Sequence, residues 1–319
     1  MQIFESVLGQ TLYLLILILI GFLLAKLKIL PESAAGILGK LENTVLVPAL
    51  VLATFMNDFT VTKLATSGGA FLFSAVLLIP VVPMAIFLSR LLTKDGFTRN
   101  IYTYGLAFAN FGYMGNSVVK AVFPGYFSEY LIFTMPLYII IYLWGVPTLL
   151  MNDEKSSFKQ NLKSLLNPMF IAMLIGMAIG LTSSLLPSMT LPTVVQTPLN
   201  AVNNCITVLG NCMSPVAMLL TGITVANIDL RKTFSNLSIY AVTAIRLLAI
   251  PLVFLGVFAI LPLPEYLEVC AMCAVSMPLG LNTVVIPSAY GKDTSVAAGM
   301  ALISHLLSCI TIPLIFLLF

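Results

Sequence analysis

Long runs without a single Asp, Glu, Lys or Arg govern what this chain can fold into. They cover 6–25, 64–89, 100–119, 130–152, 269–291 and 294–319, and 164–228 is a run of double length. A helix needs roughly 20 apolar residues to cross the hydrocarbon core of a bilayer, so each single run suits one span. A soluble domain carries about a quarter charged residues, whereas here 8% are charged and 60% hydrophobic. The runs show no strand-like alternation, which argues against a membrane β-barrel. The expectation is an all-α polytopic membrane protein with the lipid bilayer as its surroundings. The first run lacks a basic leader and is followed by Lys26 and Lys28, the pattern of a first span rather than a signal peptide.

Ten spans are predicted, at 7–26, 35–56, 64–89, 100–122, 129–150, 165–184, 199–222, 237–260, 266–288 and 294–318. The polar stretch 151–164 links spans five and six, dividing the chain into 1–150 and 165–319. Alternating the loops across the membrane puts Lys26, Lys28, Lys40, Arg90, Lys94, Arg99, Lys155, Lys159, Lys163, Arg231, Lys232 and Lys292 on one side. Only Lys63 and Lys120 fall on the other, and Arg246 lies within a span. Positive charge concentrates on the cytoplasmic side, so the linker is expected in the cytoplasm and both termini outside. The net charge of +3 reflects this asymmetry and gives no reason to expect a nucleic-acid partner. Cys205, Cys212, Cys270, Cys273 and Cys309 all sit in apolar sequence. The CxxC at 270–273 has no His or acidic neighbour, so packing is the reading, with no metal, disulfide or cofactor expected.

The two halves resemble each other. NSVVKAVFPG (116–125) matches NTVVIPSAYG (282–291) at an offset of 166, and Pro147 matches Pro313 at the same offset. PALVLAT (48–54) aligns with PVAMLLT (215–221) at 167, and Ile79-Pro80 with Ile250-Pro251 at 171. The matched residues include Pro and Asn, which apolar helices do not share by default. Five spans per half is an odd number, so the second repeat must cross the membrane upside down, an architecture typical of secondary transporters.

In each repeat the fourth span is unusual. Span four carries Asn110, Gly112, Gly115, Asn116 and Ser117, and span nine carries Pro278, Gly280, Asn282 and Thr283. Proline removes a backbone donor, and glycine costs a helix about 1 kcal/mol against alanine. Non-helical backbone at this depth must be buried in protein or line a wet cavity. The functional reading is a pair of discontinuous helices whose half-helix N-termini meet near the midplane and attract an anion. The structural reading is that Gly and Pro are common in membrane helices and Asn joins them. Recurrence at one repeat position favours the functional reading.

Several segments carry a family resemblance: VPALVLATF (47–55), NFGYMGN (110–116), LLNPMFIAMLIG (165–176), SPVAMLLTG (214–222), RLLAIP (246–251) and MPLGLNT (277–283). In their order and spacing the chain resembles a bacterial member of the auxin efflux carrier family, similar to plant auxin exporters and bacterial malate and other carboxylate permeases. The resemblance implies a fold like that of bile-acid/sodium symporters and NhaA-type antiporters. Spans 1, 2, 6 and 7 would form a scaffold, through which a homodimer would assemble, and spans 3–5 and 8–10 a transport domain with crossed fourth and ninth helices. It also implies an organic anion as cargo, elevator-like movement and the bacterial inner membrane. The family's usual proline after the span-four glycine is replaced by Ser117 here, so the first break is expected to rest on glycines alone.

Of the ionisable residues within the spans, four are candidates for a role in transport. Lys120 lies one helical turn beyond Asn116, either to neutralise a substrate carboxylate or to snorkel to the outer interface. Arg246 sits mid-span, where it would attract the anion or hold the transport domain together. His305, the sole histidine, suits proton coupling or hydrogen-bonded packing. Glu42 is expected at the cytoplasmic interface and is the one acidic residue placed to serve a coupling ion, with protons favoured over sodium. The repeats differ at these places: Pro278 faces Gly112, and Lys120 faces Ile286. No span holds two acidic residues or an HExxH motif, which argues against a membrane-embedded enzyme. A channel or a receptor remains the competing reading to a carrier.

Overall fold

The computed structural model describes residues 2–31, 33–151, 166–186, 193–261 and 263–319. Most of the linker expected at 151–164 lies outside the described residues. In chain order the elements are α1 (Gln2–Lys26), α2 (Ala34–Asp58), α3 (Val61–Leu92), α4 (Gly96–Ala107), α5 (111–122) and α6 (Pro124–Leu150). They continue with α7 (Pro168–Leu185), α8 (Thr193–Ala226), the short α9 (Leu230–Ser235), α10 (Leu237–Ile260), α11 (Glu265–Val275), α12 (Asn282–Ala289) and α13 (Ser295–Leu318). Eight of these are long and apolar enough to cross a bilayer. The regions expected as spans four and nine are each interrupted, giving the pairs α4–α5 and α11–α12.

The helices are apolar on faces that point away from the protein as well as on those that point in. On α1, Val7, Leu14 and Ile18 are buried while Leu12, Ile16, Leu19 and Leu23 are exposed. On α3, Leu72, Val76, Ile79 and Phe87 are exposed. A helix that is hydrophobic all round belongs in a membrane or a large core, and here lipid covers the outer face. The fully buried positions include polar and charged side chains: Glu42, Asn110, Arg246 and His305.

Two packing groups are evident. In one, α1 and α2 both lie against α8, and α2 lies against α7. A Cβ on Gly21 would collide with the Leu219 carbonyl, and one on Gly222 with the Ile18 carbonyl, so the α1 and α8 backbones touch. Small residues allow this close approach between membrane helices. In the other group α3 packs on α4 and α6, α11 on α6 and α10, and α13 on α10. Contacts of α12 with α2 and α8, of α13 with α1 and α8, and of α5 with α1 connect the two groups.

Two prolines shape helices without breaking them. Wider π turns occupy Glu42–Leu46 and Ile245–Ala249, just before Pro48 and Pro251. Proline lacks the N–H of the ladder, and its ring crowds the carbonyl one turn back. A locally widened turn relieves that conflict, and such π bulges are frequent at functional sites. Glu42 and Arg246, the fully buried charged residues among those described, each stand in one of these turns.

Candidate functional site

The two interruptions meet. Phe108 closes α4 in an extended conformation, and Ala109 pairs with Leu279 in a short antiparallel bridge. The Asn110 N–H donates to the Pro278 carbonyl at 2.8 Å. A Cβ on Gly280 would stand 2.8 Å from the Phe108 oxygen, so only glycine lets the two chains approach this closely. The crossing is thus a contact of backbone with backbone, and the free groups of each break partly satisfy the other.

Side chains lock the crossing from α13. His305 Nδ1 lies 2.7 Å from the Ala301 carbonyl, which can only accept, so this nitrogen carries the proton. Its Nε2 then accepts from Asn110 Nδ2 at 3.0 Å. Asn110 Oδ1 is left buried without a partner. The Ser304 hydroxyl accepts from Leu279 N–H at 3.4 Å. On the other strand, Asn282 Nδ2 donates to the Tyr104 hydroxyl at 3.0 Å, and the Thr283 hydroxyl donates to the Gly280 carbonyl at 2.8 Å.

The crossing has two electrostatically different sides. On one, α4 and α11 end, and their last carbonyls carry partial negative charge. Arg246 fills this side: Nη1 donates to Leu106 O at 3.1 Å, Nη2 to Ala274 O at 3.3 Å and Nε to Met277 O at 3.3 Å. One guanidinium therefore caps both half-helices, next to a small cavity of about 40 Å³ between α3, α6 and α10. On the other side α5 and α12 begin, and first-turn N–H groups have no partner within their own helix. A cavity of about 20 Å³ lies there, lined by Asn110, Gly112, Tyr113, Gly280 and Asn282, with Tyr138, Tyr142 and residues of α2, α7 and α8 opposite.

Several sequence expectations need correction. The first break falls at 108–110, ahead of the glycines, while Gly112 and Gly115 lie inside a π turn, Phe111–Gly115. Their role is close approach: a Cβ on Gly112 would sit 2.6 Å from the Tyr138 hydroxyl, and one on Gly115 would collide with that of Tyr130. The Tyr130 hydroxyl donates to Phe111 O at 2.9 Å, bracing the turn. Glu42, expected at the interface, is completely buried, because α8 and α12 both pack over its turn.

Other predicted residues stand further from the crossing. Asn116 is buried on α5. The Ser117 hydroxyl turns back to Tyr113 O at 3.1 Å and meets the Ser214 hydroxyl of α8 at 3.3 Å. Lys120 is exposed near the end of α5, its ammonium 4.8 Å from the centre of the Phe127 ring. Cys270 and Cys273 are buried within α11. The tyrosines at 104, 130 and 138 stand out by no sequence motif; their place within spans four and five is the one signal that points to them.

A larger polar crevice of about 990 Å³ opens between α2, the end of α8 and the α12–α13 connection. Lys40, Asn43, Asn227, Ser288 and Lys292 line it. Asp293 beside it accepts from the Ser295 hydroxyl and N–H, and these bonds hold its carboxyl below the usual carboxylate range.

These features define a multi-pass helical membrane protein organised around two interrupted helices that pair at their breaks. The chain matches the membrane transport protein family over residues 6–316 and belongs to that family, the family of the auxin efflux carriers. No curated protein matches the chain at a significant level.

Proposed function

We propose that this protein is a secondary carrier for a small organic anion, a carboxylate such as malate or an auxin-like acid, held where the interrupted helices cross. The observation that carries the reading is the division of charge at the crossing. Arg246 occupies the side where α4 and α11 end, and the side where α5 and α12 begin has no carboxylate among its lining residues. Anions favour helix N-termini, so that side suits a carboxylate, and Asn110, Gly112, Gly280 and Asn282 would meet it.

In this reading the chain has ten spans in two inverted five-helix repeats. The group of α1, α2, α7 and α8 is the scaffold, and the rest move as the transport domain. Packing within each group supports an elevator-type alternation, in which the contacts of α1 with α13 and of α2 with α12 would have to slide. The small cavities at the crossing favour a carrier over a channel, since neither offers a continuous path. Reconstitution into liposomes with a panel of mono- and dicarboxylates tests the proposal. Saturable uptake that accelerates when unlabelled anion is preloaded inside is expected; failure to move any anion overturns it.

A further inference from the structure

Glu42 has no place in the crossing as described, yet it is the most isolated charged group among the described residues. None of its surface is exposed, and neither carboxyl oxygen has a hydrogen-bond partner. The elements packed over its turn offer no cation. Neither α7 nor α12 carries a titratable side chain, and α8 brings only Cys205 and Cys212, both exposed. From α5, Tyr113 comes within electrostatic reach. On α2 itself, Lys40 is exposed and lines the crevice. Asp58 stands about 24 Å away along the helix axis. An ionised carboxylate left unpaired in such surroundings costs several kcal/mol even after relaxation, so this position calls for a cation of its own.

The location says which one and when. Asn43, the next residue, lines the crevice, and its Nδ2 donates to Gly39 O at 2.9 Å and to Val285 O of α12 at 3.4 Å. On the other side Val47 and Tyr113 line the cavity at the crossing. Glu42 therefore lies on α2 beside the crevice-lining Asn43 and about 7.5 Å along the axis from Val47, which lines the cavity at the crossing. Neither carboxyl oxygen meets a protein donor, and a proton neutralises such a carboxyl without requiring any further ligand, so the proton is the cation that fits. We propose that Glu42 is the proton-carrying site of this carrier, loaded and unloaded together with the organic anion.

Two carboxylates close together in a low dielectric do not both stay ionised. Entry of a substrate carboxylate thus requires Glu42 to hold, as its O–H bond, a proton already taken up from the crevice. Release of the anion on the opposite side breaks that bond and delivers the proton there, one proton per anion. The proposal rests on the carrier reading, and its test separates the two.

Proteoliposomes bearing wild type, Glu42→Gln or Glu42→Asp are given radiolabelled malate under a pH gradient, a sodium gradient or none, with the membrane potential clamped at zero. One proton per anion makes a gradient of about one pH unit drive about tenfold accumulation. Wild type should reach it, Glu42→Asp should retain part, and Glu42→Gln should only equilibrate while keeping malate–malate exchange at a rate independent of pH. Accumulation by Glu42→Gln under the pH gradient, or by wild type under the sodium gradient alone, overturns the proposal. Absence of exchange in wild type with every carboxylate tried counts against the carrier reading instead. Infrared difference spectra of the solubilised protein then decide Glu42 separately. A protonated-carboxyl band that responds reversibly to pH in wild type and is missing in Glu42→Gln supports the proposal, and its absence from wild type overturns it.

Discussion

The two sides of the helix crossing contain the same kind of structure, a pair of half-helix ends, and solve its electrostatics differently. Where α4 and α11 end, the protein supplies its own counter-charge, with Arg246 donating to carbonyls of Leu106, Ala274 and Met277. Where α5 and α12 begin, it supplies amides and phenols but no carboxylate: Asn110, Asn282, Tyr138 and Tyr142 surround the cavity. One side is thus complete in itself, and the other is where the proposed anion would bind. The difference shows how one buried cation can be structural while the other side is left for the proposed anion. The guanidinium is engaged by helix ends that already carry opposite partial charge.

Removing Arg246 should have the largest effect. Arg246→Met leaves three buried carbonyls without their donors, and each unsatisfied group costs about 1–3 kcal/mol. A stability loss on the order of 3 kcal/mol or more is expected in thermal unfolding of the detergent-solubilised protein, with uptake abolished. Arg246→Lys, able to reach fewer carbonyls from a single ammonium, should fall between. A variant without the guanidinium that unfolds like wild type yet fails to bind anion would reverse the comparison, since the charge would then serve the ligand.

The next effect tests the brace behind the anion-facing side. Gly115→Ala drives a methyl group into the Tyr130 hydroxyl and should cost about 1–3 kcal/mol. Tyr130→Phe loses the bond to Phe111 O, worth about 1 kcal/mol. Because the second change removes the atom that the first collides with, the double variant should be more stable than the sum of the single losses implies. Strict additivity would show that the Phe111–Gly115 turn does not depend on this contact.

Much of the fold is legible in the sequence, because membrane burial leaves its mark locally. A span must be apolar along its whole length, so the charge-free runs mark the helices, and Pro278 marks one interruption within them. What is not legible depends on partners far along the chain. The first break falls at Phe108 and Ala109, residues with no tendency to break a helix, because Leu279 pairs with Ala109 from 170 positions away. Gly112 and Gly115 look like breakers, and only the placement of Tyr138 and Tyr130 reveals them as clearance. Glu42 sits among Lys40, Asn43 and Thr44, a polar neighbourhood typical of an interface. Its burial comes from α8 and α12, which no local pattern discloses. The alternatives for Arg246 were open for the same reason: its acceptors lie 28, 31 and 140 residues away.

The smallest effect is expected at Lys120, the cation nearest in sequence to the anion-facing side. It follows Asn110 by ten residues, roughly 15 Å along a helix, and its ammonium sits over the Phe127 ring at the exposed end of α5. An exposed cation–π contact is worth about 0.5–1 kcal/mol, so Lys120→Met should shift thermal unfolding only slightly. Uptake should keep its apparent affinity for each carboxylate, because the half-helix ends and not this lysine would supply the positive potential. A severalfold rise in the substrate concentration needed for half-maximal uptake, with stability unchanged, would extend the anion-facing side outward along α5. That result would replace a site built from backbone and amides with one completed by a charged side chain.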